Sequence, residues 1–265
     1  TFTDTGAVAD VEIKRTLIRV TRLTYAAAGK RREESALAPL FAIAERNIER
    51  RRLAGAVFID LPEVHISLSR NGEAGTGNAA PEVSFTRLEA EPAADMVREM
   101  MLLAGEAVAR FAFKNKIPFQ YVSQETPDIP QELPPGLAGE YRKRRAMKSR
   151  KVGTIPADHA GLGLGMYSQV TSPLRRYGDL VAHQQLHLFL DGKPVMDTDD
   201  MLTRIAQGDS ASRECTFAER ESNLHWVLVY LSLHPDWTGE AVVVDTSGRQ
   251  ATMLIRFTSG DEPNL

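Results

Sequence analysis

The densest run of chemically useful side chains is Thr171-Ser172-Pro173-Leu174-Arg175-Arg176-Tyr177-Gly178-Asp179-Leu180. Thr171 or Ser172 can cap a helix, and Pro173 suits its first turn. The start of such a helix presents free N–H groups and a partial positive charge. Arg175 and Arg176 fall in that same first turn, and a helix start carrying two guanidiniums is an arrangement that binds phosphate. A capped surface helix with solvated arginines uses the same residues, so the block alone leaves both readings open.

Three other groupings have chemical potential. Seven of the ten residues from Arg142 to Lys151 are Lys or Arg, enough to neutralise a polyanion backbone, although a solvated helix face is the ordinary use of such a run. His183 and His187 stand four apart, the spacing of zinc ligands on one helix face. Gln184 occupies the place where a zinc hydrolase needs its glutamate, and histidines at this spacing more often pack or cap. Asp191, Asp197, Asp199 and Asp200 are clustered carboxylates of the kind Mg²⁺ needs. Asp191-Gly192-Lys193-Pro194 also reads as a turn, and Asp199 or Asp200 as a helix cap. Gly161-x-Gly-x-Gly165 lacks the full dinucleotide fingerprint. Tyr25 and Phe58 could stack on bases, although such aromatics are usually core.

The elements that must position these residues follow from periodicity. Leu37, Leu40, Phe41, Ala44 and Ile48 predict a helix over 33–52, ended by Arg50-Arg51-Arg52 before Gly55. Ala94, Val97, Met101, Ala104, Val108 and Phe111 predict a second helix. Two more are expected after Pro173 and over Asp200–Leu233. Val11–Val20, Ala56–Asp60, Val64–Leu68, Glu240–Val244 and Ala251–Phe257 read as strands, with turns at Asn71-Gly72 and Ser247-Gly248. Residues 123–139, with Pro127, Pro130, Pro134 and Pro135, read as loop. Both ends look cut from a longer chain, the first strand-like run suiting a sheet whose other strands lie elsewhere.

The 265 residues are 43% hydrophobic and 25% charged, which is globular composition. Net charge is −3, excluding a globally basic nucleic-acid binder but not a local basic patch. No stretch approaches 18 apolar residues, so no membrane span is expected. Cys215 is the one cysteine, which makes a reduced, cytoplasmic setting the expectation.

The Thr171–Asp179 block resembles the Thr-Ser-Pro-(Ile/Leu)-Arg-(Arg/Lys)-Tyr-x-Asp motif of the ribonuclease II family of RNB-domain 3′→5′ exoribonucleases. Further blocks are similar to the family's and stand in its order. They are Arg22-Leu23-Thr24-Tyr25, Gly55–Val64, Glu99–Ala104, Gly161-Leu162-Gly163 and Ala218-Glu219-Arg220. From about Trp237 the sequence is similar to the first strands of an S1-type OB domain. Gln169-Val170 and Gly105 depart from the family's usual His-Phe and Asn.

The resemblance implies an α+β fold: an RNB catalytic-domain fold, a mixed sheet with long helices, over 1–233, then a partial S1/OB-type β-barrel over 234–265. It implies processive 3′→5′ degradation of single-stranded RNA to nucleoside 5′-monophosphates, with Mg²⁺ activating the attacking water. The metal's four aspartates, spaced Asp-x₅-Asp-x-Asp-Asp, are expected upstream of this chain, so this chain alone is expected to be inactive and no metal ligand is assigned in it. Asp191, Asp197, Asp199 and Asp200 repeat that spacing, but after the arginine motif, and the metal role is not carried over to them. Arg175 matches the catalytic arginine. Tyr25, Phe58, Glu99 and Glu219 match RNA-contacting positions, Arg176 matches a neighbouring RNA phosphate contact or a structural ion-pair partner, and the ribose 2′-OH would discriminate against DNA. The expected partners are single-stranded RNA and the N-terminal remainder of the same protein, with no membrane partner and a monomeric state. A non-catalytic RNA-binding protein that retains the RNB fold is the alternative, and a zinc hydrolase using His183 and His187 a weaker one.

Overall fold

The computed structural model describes residues 1–69, 82–88, 90–246, 248 and 251–256. They form two compact units. One comprises Thr1–Phe58, Ala90–Asp128 and Met147–Ser212, the other Ile59–Glu89, Ile129–Ala146 and Arg213–Leu265. The fold is α+β, with its described strands paired as three two-stranded antiparallel ladders.

The first unit is built on helices α1 (Tyr25–Lys30), α2 (Ala38–Leu53) and α3 (Pro92–Lys114). Thr24 caps α1, its hydroxyl accepting from the Ala27 N–H at 3.1 Å. Pro92 starts α3 in the one place a helix tolerates proline well. The near end of α3 buries Ala93 and Met96 with Ala28, Phe41 and Ala44. Its far end buries Ala109 and Ala112 with Ile117, Phe119, Tyr121, Val170, Ala182 and Leu186. Those last two residues belong to α5 (Tyr177–Leu190). Between these ends, Leu102 packs with Val122, Leu164 and Tyr167. Strand β3 (Tyr121–Ser123) pairs with β4 (Lys151–Gly153) beside this middle cluster. The long helix α6 (Thr198–Leu233) belongs to the first unit as far as Ser212.

The second unit holds the ladder of β1 (Val64–Ser69) with β2 (Glu82–Arg87), the helix α4 (Leu137–Ala146), and the later part of α6. It also holds the ladder of β5 (Glu240–Asp245) with β6 (Thr252–Arg256), which carries a bulge at Val243/Asp245. The Asn71-Gly72 turn, Ser247 and the residues from Phe257 onward lie outside the described residues. Among the described residues no helix is long and apolar enough to cross a membrane.

Several expectations change. Residues 9–24 form no strand. Nor do Ala56–Asp60, because three of their N–H groups find other partners. Ala56 donates to the Arg51 carbonyl at 2.9 Å and Val57 to the Gly161 carbonyl at 3.0 Å. Asp60 donates to Glu140 Oε2 at 2.9 Å. Gly55, at φ +83°, makes the left-handed exit from α2. The 123–139 loop ends in α4, and α2 begins five residues later than its apolar pattern suggested.

Gly105 is where α3 meets the chain leading to the arginine motif. A Cβ there would lie 2.3 Å from the Tyr167 ring and 2.5 Å from the Ser168 carbonyl oxygen. Gly105→Ala should therefore lower stability by about 1–3 kcal/mol, the usual penalty for overpacking a filled site. Urea unfolding of this chain checks it, and a loss below about 0.5 kcal/mol would show that Tyr167 moves freely.

Candidate functional site

Four consecutive residues fix the approach to the arginine motif. The Val122 N–H donates to the Tyr167 carbonyl at 2.8 Å, and the Ser168 N–H to the Gly105 carbonyl at 3.3 Å. Gln120 Nε2 donates to the Gln169 carbonyl at 2.9 Å. His183 Nε2 is bonded to the Val170 carbonyl at 2.7 Å. Ser172–Arg176 then forms a turn, with the Arg175 and Arg176 N–H groups donating to the Ser172 carbonyl at 3.2 and 3.0 Å.

The helix does not start where its caps suggested. It begins at Tyr177 with Arg176 at the N-cap, so neither arginine is in the first turn. The cause is Asp179, the third helical residue. Its buried carboxylate accepts from the Ser172 N–H at 2.8 Å and from Arg176 Nε and Nη2 at 3.0 and 2.6 Å. Asp179 thereby supplies the anion that a helix start favours, and Arg176 is bound to it. Arg175 remains exposed beside a fully exposed Leu174, with no ion pair among the described residues.

The other sequence-selected residues are distributed differently. Tyr25 is 52% exposed at the start of α1. Phe58 is half-buried, its ring centroid 5.2 Å from the Arg51 guanidinium and 5.5 Å from that of Arg52. Glu219 is exposed on the part of α6 that belongs to the second unit. Glu99 is 0% exposed. Its Oε1 accepts from Arg51 Nη1 at 2.6 Å and its Oε2 from Asn47 Nδ2 at 2.8 Å. A carboxylate so enclosed has no surface left for a sugar or base, so the expected direct contact gives way to an internal role.

That role belongs to a network that the sequence reading missed. Arg51 Nε also donates to the Leu162 carbonyl at 2.8 Å. Two turns along α3, Glu106 accepts from Arg50 Nη1 and Nη2, at 3.2 and 2.5 Å, and from Arg110 at 2.9–3.0 Å. A signal was available. Met96, Glu99, Leu103 and Glu106 fall on one helix face by their spacing, which placed both acids among core residues.

The metal readings fail on geometry. Asp191 pairs with Arg15 at 2.7 Å and Lys193 at 3.4 Å. Asp197, rather than Asp199 or Asp200, caps α6 by accepting from the Asp200 N–H at 2.9 Å. Among the described residues, no group of three or more His, Cys, Asp or Glu is placed to hold a metal ion. His183 is engaged with a carbonyl while His187 is exposed, which leaves no zinc pair.

Residues 1–132 and 139–192 match the RNB domain. The chain belongs to the RNB family. It is 34% identical over 253 residues to an uncharacterised Synechocystis ribonuclease, covering 90% of this chain and 37% of the relative. It is 32% identical over 199 residues to the chloroplastic/mitochondrial ribonuclease II of Arabidopsis thaliana, covering 71% and 24%. The RNB chain thus spans about a third or less of these relatives' length. Its backbone is similar to an exoribonuclease Dss1 active-site mutant from Candida glabrata, with a TM-score of 0.75 at 21% identity over 89% of this chain and 32% of that one. It is also similar to Mycoplasma genitalium RNase R solved with ribose-methylated single-stranded RNA, with a TM-score of 0.74 at 17% identity over 96% and 47%.

Two predictions follow from the site's buried groups. Glu99→Leu should cost about 3–5 kcal/mol, because it strands the buried Arg51 charge, whereas Glu99→Leu with Arg51→Met should recover most of that. Urea unfolding decides: a single-variant loss below about 1 kcal/mol would deny the pair its structural role. His159 is the second group. Burial, aided by the charges of Arg150 and Arg51, lowers its pKa to about 4, and Nδ1 has no hydrogen-bond partner among the described residues. The unfolded chain takes up this proton near pH 6.5, so the contribution of neutral His159 is complete above that pH and is lost as pH falls toward 4. His159→Gln should flatten the fall in urea midpoint between about pH 7 and pH 5, and a variant that falls as steeply as the parent would refute the assignment.

Proposed function

We propose that this chain is catalytic-domain sequence of a hydrolytic exoribonuclease that shortens single-stranded RNA processively from its 3′ end and releases nucleoside 5′-monophosphates. The observation that carries the reading is Arg175, the guanidinium that a turn fixed on four successive residues leaves open to solvent. A cation held there is suited to the charge that develops on a phosphodiester under attack. Arg176, bonded to Asp179, is assigned to keeping that turn in shape, with a phosphate contact as its second task. Tyr25 is assigned to stacking on a base near the 3′ end, and Glu219 to a polar contact with sugar or base. Phe58, already against two guanidiniums, is assigned to presenting Arg52 as well as to packing a base. Glu99 acts through Arg51. Enzymes of this family are in general metal-dependent. Mg²⁺ is the ion we assign to the reaction, but the described carboxylates do not form a site for it.

The support is convergent. The relatives are named ribonucleases, and Mycoplasma genitalium RNase R, whose backbone is similar, has been solved holding ribose-methylated single-stranded RNA. The test is shortening of a 5′-labelled single-stranded RNA in Mg²⁺, using this chain and the protein translated from its complete reading frame. Where shortening occurs, Arg175→Ala should slow the single-turnover rate by about 10²–10³, the usual effect of losing one transition-state donor, with little change in RNA affinity. A loss below tenfold would remove Arg175 from the chemistry. RNA binding with no shortening by either protein would instead establish the non-catalytic RNA-binding alternative.

A further inference from the structure

The basic run at Arg142–Lys151 is the feature of the sequence that the reaction does not use, and the structure sorts six of its seven charges, all but Lys148, into two kinds. Three are engaged. Lys143 donates to Glu140 Oε1 at 2.7 Å, and Lys151 pairs with Glu125. Arg150 donates to Gln169 Oε1 at 3.2 Å and lies 3.7 Å from Asp209. By contrast, Arg142, Arg144 and Arg145 on α4 are exposed and have no ion pair among the described residues. At about 100° per residue these three share an arc of roughly 160°, with Lys143 on the other side of the helix.

From Leu137 to Lys151 there are seven Lys or Arg and one acid, a net +6. The whole chain is −3, so the other 250 residues carry −9. So strong a local excess on a negative background steers polyanions to one place. Compensation of the helix dipole explains one or two cations in a last turn, but not three left unpaired on one arc. Arginine rather than lysine also suits phosphate, through its planar fork of donors.

We propose that the Arg142–Arg144–Arg145 arc of α4 is a contact strip for the phosphate backbone of single-stranded RNA. This deepens the exoribonuclease reading and rests on it. Binding by this strip is independent of base sequence and is governed by counterion release, so it is read most directly from salt dependence.

The test is fluorescence anisotropy of a labelled single-stranded RNA of about 20 nucleotides, without divalent metal, from about 50 to 200 mM salt. Each phosphate contact to a single strand contributes about 0.7 to the slope of log K against log salt, so R142Q/R144Q/R145Q should lower the slope by about 2. K143Q/R150Q/K151Q removes the same number of charges and should leave it nearly unchanged. Circular dichroism melts confirm that both triples fold. An unchanged slope in the first triple, or an equal fall in both, overturns the strip while leaving the exoribonuclease reading intact. Failure of the parent chain to bind RNA at all overturns both.

Discussion

The carboxylate of Glu99, buried between α2 and α3, is the constraint on which the first unit depends. An ionised group without solvent costs several kcal/mol unless it is paired and hydrogen-bonded, so the rest of the seam is arranged to meet it. Asn47 and Arg51 stand one turn apart on α2 and bond its two oxygens. Arg51, so fixed, donates to the Leu162 carbonyl and brings the glycine strip against the end of α2. The approach is close enough to restrict sequence. Gly163 sits at φ +66°, and a Cβ there would lie 2.7 Å from the Arg51 carbonyl oxygen. Both the left-handed backbone and the space require glycine. Val57 then bonds to Gly161, which turns the segment after α2 away from any ladder. One buried charge therefore accounts for a helix seam, a glycine and a loop that its β-branched residues did not predict.

The same helix carries the influence on to the arginine motif. Gly105 lets Tyr167 and Ser168 rest directly on α3, and the next two residues are bonded to Gln120 and His183. By Ser172 the chain has little freedom left, and Asp179 closes the turn. This arrangement gives two adjacent arginines different environments. Arg176 neutralises a buried carboxylate, so its position is set from within. Arg175 points outward from a base that cannot easily shift, and a cation aimed in advance needs no reorganisation when charge develops nearby.

Much of this was legible in the sequence, for reasons that particular residues make plain. The stripe from Ala94 to Phe111 identified α3 because a buried helix face must repeat near 3.6 residues. The family followed from motif blocks standing in order along the chain. What failed depended on long-range hydrogen bonds. Ala56–Asp60 has strand-like side chains, but its N–H groups bond to a helix end, a glycine strip and a glutamate. Thr171 and Ser172 are good caps, yet a buried acid eight residues after Thr171 sets the helix start. The four aspartates from 191 to 200 have a metal-like spacing, but the fold assigns Asp191 to an ion pair and Asp197 to a cap. Spacing along a chain indicates a cluster only when the backbone between the residues brings them together.

The chemistry of the cations follows their tasks. Every cation in the α2–α3 seam is arginine: Arg50, Arg51, Arg98 and Arg110. Guanidinium is weakly hydrated, stays charged when buried, and presents its donors as a fork, so Arg50 can meet both Glu106 oxygens at once. Lysine at these positions would offer a point charge that is costlier to desolvate. The paired cations Lys143 and Lys151 lie at more exposed pairs, where a single ammonium is sufficient and contributes little stability. The three arginines of α4 have no ion pair among the described residues, and their chemistry is what the proposed phosphate strip requires. A helix that needed only solubility could use lysine there at no loss, whereas a surface that must hold phosphate gains geometry from the fork.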